Sequence, residues 1–182
     1  YKALCEKYLL KQGSRDFTCV VLRPATVCGY SPRMRLDLTV NILTINALVN
    51  KKIIVHGGSQ KRPNIHIEDM TDMYVKMLEF PKGKIAGKIY NVGYQNYTIL
   101  ELAWMVKKVL KDPSIQIKIE STNDSRSYHV SSEKIKKELG FVPRHSVREA
   151  IRDIASAYRQ GKITRPMENP NYYNIRTLQA NG

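Results

Sequence analysis

The sequence is thin in most features that announce a specialised class. Its 182 residues include three cysteines, Cys5, Cys19 and Cys28, with no CxxC spacing among them. An odd, unclustered set cannot all pair within one chain, which excludes a disulfide-built mini-protein and favours a reducing, cytoplasmic setting. No apolar run approaches the ~18 residues needed to cross a bilayer, and no charged-then-apolar leader opens the chain, so a soluble protein without membrane contact is expected. The ten glycines form neither a GxGxxG turn nor a Walker loop, and no GxSxG elbow is present. His56, His66, His129 and His145 lack both HExxH spacing and cysteine partners, so no metal site is expected. Acidic residues are the scarcer sign of charge: 16 Asp+Glu stand against 30 Lys+Arg, a formal charge of +14. The lysines and arginines are dispersed, as in Lys51-Lys52, Lys107-Lys108 and Lys136-Lys137, and no basic arm interleaved with aromatics appears. That pattern argues for a solvated surface and against a nucleic-acid-binding module.

What is present alternates between strand and helix signals. Tyr1 to Gln12 reads as a helix closed by Gly13, and Phe17 to Leu22 (FTCVVL) as a strand buried on both faces of a parallel sheet. The turn chemistry of Ala25 to Asp37 follows the carboxyl end of that strand, where open α/β sheets bind ligands. Helices are expected over Leu38 to Val49 and Asp69 to Glu79, the second burying Met70, Met73, Tyr74 and Met77, with Asp69 as its N-cap. Short strands are expected at Lys52 to Val55, Asn64 to Ile67 and Ile89 to Val92, and a half-exposed one through Ile115, Ile117 and Ile119. Thr98…Glu101 and Ser146…Glu149 are capping boxes, each opening a helix. A short helix from Ser131 to Leu139 ends at Gly140, and an irregular tail follows Gly161. The alternation is that of an α/β protein.

A set of phrases in fixed order carries more than any of them alone. Lys2 precedes Glu6 by four residues. Then come Arg23-Pro24-x-Thr26-Val27-x-Gly29, Arg62-Pro63-x-x-His66-x-x-Asp69, Tyr90-Asn91-Val92-Gly93, Asp124-x-Arg126-Ser127-Tyr128 and Leu139-Gly140-Phe141-x-Pro143. Over nearly its whole length the chain resembles the extended short-chain dehydrogenase/reductase superfamily, in particular its NAD-dependent nucleotide-sugar epimerases and dehydratases.

The resemblance implies the C-terminal part of a Rossmann-type NAD(P)-binding fold plus a smaller α/β substrate-binding lobe. Residues 1–36 would end the cofactor lobe and 37–182 would form mainly the nucleotide-sugar lobe, with 62–93 returning to the Rossmann side. The glycine-rich N-terminal half would lie outside this chain, and the chain alone would be inactive. Lys2 matches the lysine of the family's Tyr-x-x-x-Lys helix, so the tyrosine would stand three residues before Tyr1. A lysine on the same helix face stabilises phenolate and lowers the phenol's pKa from about 10, fitting it to exchange a proton with a sugar hydroxyl.

The resemblance further implies that Lys2, Pro24, Thr26 and Val27 bind the cofactor, NAD or alternatively NADP. Asn, not Thr, stands at the Thr26 position in many relatives, where it contacts the sugar nucleotide. Asn41, Arg62, Asp124 and Arg126 would bind a nucleotide-diphosphate sugar: Asn41 against the diphosphate, unless it merely caps its helix or lies at the surface, Arg62 gripping the diphosphate, Asp124 on ribose hydroxyls and Arg126 on phosphate. A guanidinium offers phosphate a planar fork, which supports Arg62 independently. Arg33 and Arg35 would read either phosphate or a partner subunit, and a homodimer is expected. The reaction implied is epimerisation or dehydration through transient oxidation at C4 of the sugar. The alternatives are an NADP-dependent reductase of the same superfamily, a non-catalytic binding relative, or a basic binding module.

Overall fold

The computed structural model describes residues 1–123 and 126–180. Helix α1 (Lys2–Lys11) leads into β1 (Val20–Pro24) and β2 (Thr26–Cys28); α2 (Thr39–Asn50) is followed by β3 (Lys52–His56) and β4 (Lys61–His66). Next come α3 (Ile67–Glu79), the single turn α4 (Lys82–Ile85), β5 (Lys88–Val92), β6 (Gln95–Thr98), α5 (Ile99–Leu110) and β7 (Gln116–Glu120). The chain closes with α6 (Glu133–Leu139), α7 (Val147–Arg159), a 3-10 turn (Pro170–Tyr172) and α8 (Asn174–Ala180).

The strands form three groups: β1 with β5, β2 with β4 and β6, and β3 with β7. Every pairing is parallel except β4 with β6. Parallel neighbours require crossover connections, and α2, α3 and α5 lie within those connections. This is the α/β architecture that the alternating sequence implies.

Helix α7 explains how the core closes. It is buried on more than one side: Val147, Ala150, Ile151 and Ala155 pack with Leu43, Val106 and Ile53, while Ile154 and Ala157 pack with Met34, Leu36 and Ile45. α2 is apolar around most of its circumference because it sits between α5 and α7. A further core joins Met70, Met73 and Met77 of α3 to Ile65, Tyr90, Val92, Ile135 and Phe141. Both capping boxes form, with Thr98 and Ser146 accepting from the backbone N–H of Glu101 and Glu149.

Five local expectations need correction. Gly13 does not cap α1; Gln12 ends it in right-handed conformation. The first strand starts at Val20, with Phe17 exposed, and Val20 and Leu22 are only half-buried because α1 covers β1 loosely. Tyr74 is 51% exposed instead of joining the methionine face. Asp69 is not the N-cap of α3: His66 is, its Nδ1 accepting from the N–H of Glu68. The tail after Gly161 is ordered into a 3-10 turn and α8, and it folds back so that Leu36 N–H donates to Tyr172 O at 2.8 Å.

Candidate active site

The carboxyl ends of β1, β2 and β4 open on one cleft of about 390 Å³. Lys2 reaches it from α1, Pro24 from the end of β1, and Thr26, Val27 and Gly29 from β2 and the turn behind it. Ser31, Arg33 and Arg35 line it from the loop that follows, Leu38 and Asn41 from the start of α2, and Met70, Thr71 and Tyr74 from the first turns of α3. A cleft at the carboxyl edge of parallel strands is where α/β proteins place ligands, because the strand-to-helix loops there are free of sheet hydrogen bonding. A larger apolar groove of about 690 Å³ lies between α1 and β1, but its lining, Leu4, Tyr8, Leu9 and Val20 among others, offers few polar groups.

Local chemistry sets the cleft's shape. Gly29 adopts φ +112°, a conformation open to glycine, and a Cβ there would lie 3.0 Å from Ile67 Cγ2 and 3.3 Å from His66 Nε2. His66, almost wholly buried, meets Asp153 of α7 through Nε2 at 3.0 Å. Since its Nδ1 accepts from Glu68 N–H, the neutral ring carries its proton on Nε2 and donates to that carboxylate. Asp69, also buried, accepts from the backbone N–H groups of Arg144 and His145 and from His145 Nδ1, all at 2.9 Å. The hydrogen bond to Asp69 raises the His145 pKa above its ordinary value. Burial, with Asp69 nearby, pushes the Cys28 thiol up to about 12, so it remains a thiol, donating to Ile65 O.

Charge in the cleft is uneven. Arg35 is held by Asp37 through two bonds of 3.0 Å. Arg33 meets only the neutral amide of Asn174, at 3.2 Å, and neither Arg33 nor Lys2 has a carboxylate within ion-pair distance among the described residues.

The sequence-predicted residues therefore separate. Lys2, Pro24, Thr26, Val27 and Asn41 share the cleft. Arg62 and Arg126 do not line it; they meet each other at the other end of β4, where Arg62 Nη1 donates to Arg126 O and the guanidinium lies 5.4 Å from the Tyr128 ring centroid. At ~3.3 Å per strand residue, Arg62 stands about 13 Å from His66 along β4. The segment after Arg126 is pinned beside β4 and β6, Lys61 N–H donating to Ser127 Oγ and Asn96 exchanging two bonds with the backbone of Val130. Asp124 lies outside the described residues. Ser31, Thr71 and Tyr74 were not singled out as cleft residues from the sequence. The available signal was that position 71 stands off the methionine stripe of α3; Tyr74 shares the stripe's helical spacing and gave none.

The arrangement defines an α/β protein of Rossmann type with a cationic cleft at its strand ends. Residues 1–93 match the NAD dependent epimerase/dehydratase family, and the chain belongs to that family. It is 32% identical over 128 residues to UDP-glucuronic acid decarboxylase 6 of Arabidopsis thaliana, covering 67% of this chain and 36% of that one. With dTDP-glucose 4,6-dehydratase of Escherichia coli it shares 29% over 144 residues, covering 71% of this chain and 38% of the relative. Among solved structures, dTDP-glucose 4,6-dehydratase from Bacillus anthracis in complex with NAD superposes with a TM-score of 0.72 at 18% identity, covering 92% of this chain and 52% of that one. UDP-glucuronic acid 4-epimerase from Bacillus cereus, in complex with UDP-glucuronic acid and NAD, gives 0.71 at 24%, covering 87% and 50%. The chain thus spans little more than a third of these curated relatives and about half of the solved ones.

Proposed function

We infer that the protein to which this chain belongs is an NAD-dependent epimerase or dehydratase acting on a nucleotide-diphosphate sugar, with transient oxidation at C4 of the sugar. One observation carries this reading: Lys2, Pro24, Thr26 and Val27 converge with Arg33, which no carboxylate among the described residues pairs, in a cleft at the strand ends. A nicotinamide, when bound, supplies a reversible hydride acceptor. The residues present fit its nicotinamide end. Lys2 offers an ammonium with no carboxylate partner among the described residues, suited to ribose hydroxyls and to a neighbouring phenolate. The sequence holds no glycine-rich turn for the dinucleotide's phosphates.

In this reading Lys2 orients the cofactor's ribose and lowers the pKa of the family's tyrosine, while Pro24, Thr26 and Val27 form the wall beside the reacting sugar. Arg62 and Arg126 hold the diphosphate at the far end of β4, and Asp124 takes the ribose hydroxyls. The ligand is then extended across the sheet and not folded into the cleft. A cytoplasmic homodimer using NAD, with NADP as the alternative, accompanies this reading.

The test is a thermal-shift screen of the full-length protein with UDP-, GDP-, CDP- and dTDP-sugars. The reading expects a shift with at least one of them that Arg62→Ala abolishes. No shift with any of the four would overturn it. Net NADPH consumption without an isomerised or dehydrated product would favour the reductase.

A further inference from the structure

Asn41 does not behave as a side chain waiting for a ligand. It lies in the first turn of α2, and it is 3% exposed. It does not cap the helix, since the N-cap is Leu38 and no side-chain cap bond is made. Both ends of its amide are engaged on backbone: Oδ1 accepts from the N–H of Gly29 at 3.3 Å, and Nδ2 donates to the carbonyl of Arg35 at 2.8 Å. These are the two ends of one loop. Between them Met34, 1% exposed, is buried, and just beyond Arg35 so is Leu36. Arg33 and Arg35 alternate outward, and both line the cleft. Ser31 tightens the loop from inside, its hydroxyl donating to Arg33 O at 2.9 Å.

We propose that Asn41 is a positioning residue: it acts on the sugar nucleotide through the Gly29–Arg35 loop, fixing the turn that presents Arg33 to the cleft, and makes no contact with the diphosphate. This rests on the functional reading above for the identity of the ligand, but not for the hold on the loop. Arg33 suits the task because Arg35 is neutralised by Asp37, whereas among the described residues the Arg33 guanidinium meets an amide and no carboxylate. The sugar end of the ligand, which reaches the cleft while Arg62 and Arg126 hold the diphosphate, would find in Arg33 a guanidinium donor that no described carboxylate occupies. A buried amide that satisfies one donor and one acceptor six residues apart in sequence is a strong local constraint. Removing it leaves a backbone carbonyl and an N–H without partners.

Hydrogen exchange on the ligand-free full-length protein separates the two roles. In Asn41→Ala, the segment 29–37 should exchange faster while α7 is unchanged, and the nucleotide-diphosphate sugar that shifts the wild type should bind about tenfold more weakly, the equivalent of one net hydrogen bond. A loss of affinity with loop exchange unchanged would overturn the proposal in favour of direct contact. Faster loop exchange with affinity unchanged would overturn it by removing the loop from binding. If Asn41→Ala fails to fold, Asn41→Asp, which keeps the acceptor for Gly29 and loses the donor to Arg35, replaces it with the same expectations. The exposed variant Arg33→Ala should weaken binding with the loop's exchange intact, and unchanged binding there would also count against the proposal. A wild type that binds no such sugar would sink the functional reading, and the exchange arm alone then decides whether Asn41 holds the loop.

Discussion

Glu6 on α1 and Arg23 on β1 form a forked ion pair, Nε donating to Oε1 at 3.0 Å and Nη2 to Oε2. The pair matters because α1 buries none of its residues, so little else in this chain fixes the helix that carries Lys2. It also gives a physical reason for two pieces of the sequence signature to occur together: the glutamate four residues after the lysine and the arginine before Pro24 are partners. The guanidinium holds the Glu6 carboxyl below the usual carboxylate range.

Arg23→Ala should therefore release α1 without unfolding the domain. The pair is exposed and screened by solvent, so global stability should barely change. Hydrogen exchange in residues 2–11 should rise, and cofactor affinity of the full-length protein should fall. Unchanged exchange in α1 would contradict the role assigned to the pair.

His145 and Asp69 tie the first turn of α3 to the loop before α7, and they make stability depend on pH. The folded-state pKa of His145 is raised, chiefly by its hydrogen bond to Asp69, with Glu149 and Glu68 adding attraction. A raised pKa means a contribution fully present below the unfolded value, near 6.5, and lost as pH rises through the folded one. Melting temperature should thus decline over that window, and His145→Gln should flatten the decline. The two backbone donors to Asp69 persist at every pH, so the link weakens without breaking.

The two capping boxes work in the opposite direction. Backbone and hydroxyl donors lower the pKa of Glu101 and Glu149, so their contribution is present above the unfolded value, about 4.3, and is lost as pH falls through the folded values. Thr98→Ala and Ser146→Ala should each cost about 1 kcal/mol in urea denaturation. Ser146→Ala should propagate further, because α7 contributes to more than one core.

Arg62→Ala should weaken binding of the nucleotide-diphosphate sugar by about 10- to 100-fold, the scale of losing hydrogen bonds to a charged group. Arg62→Lys should not restore it, since an ammonium cannot reproduce the planar fork. Full rescue by lysine in a calorimetric titration would contradict the assignment.

Much of the fold was legible because its signals are local. The Thr98 and Ser146 capping boxes, the left-handed Gly140 that ends α6 and the methionine stripe of α3 are each fixed by residues a turn or two apart. What was misread depends on distant partners. Asp69 has the chemistry of an N-cap, but its carboxylate is claimed by backbone more than seventy residues away, and His66 takes the cap. The tail looked irregular because its order comes from the backbone of Leu36 and from Asp37, not from its own periodicity. For the cleft, the phrases named the segments that meet there. They did not reveal that Asn41 faces its own chain, or that Arg62 and Arg126 pair away from Lys2.

The most direct test of the account is product analysis. The full-length protein is incubated with NAD and each nucleotide-diphosphate sugar that shifts its melting temperature, and the sugar is examined by NMR. The account predicts an epimerised or dehydrated sugar, formed without net accumulation of NADH and lost in Lys2→Met. A sugar recovered unchanged, or one converted only with stoichiometric consumption of reduced cofactor, would contradict it.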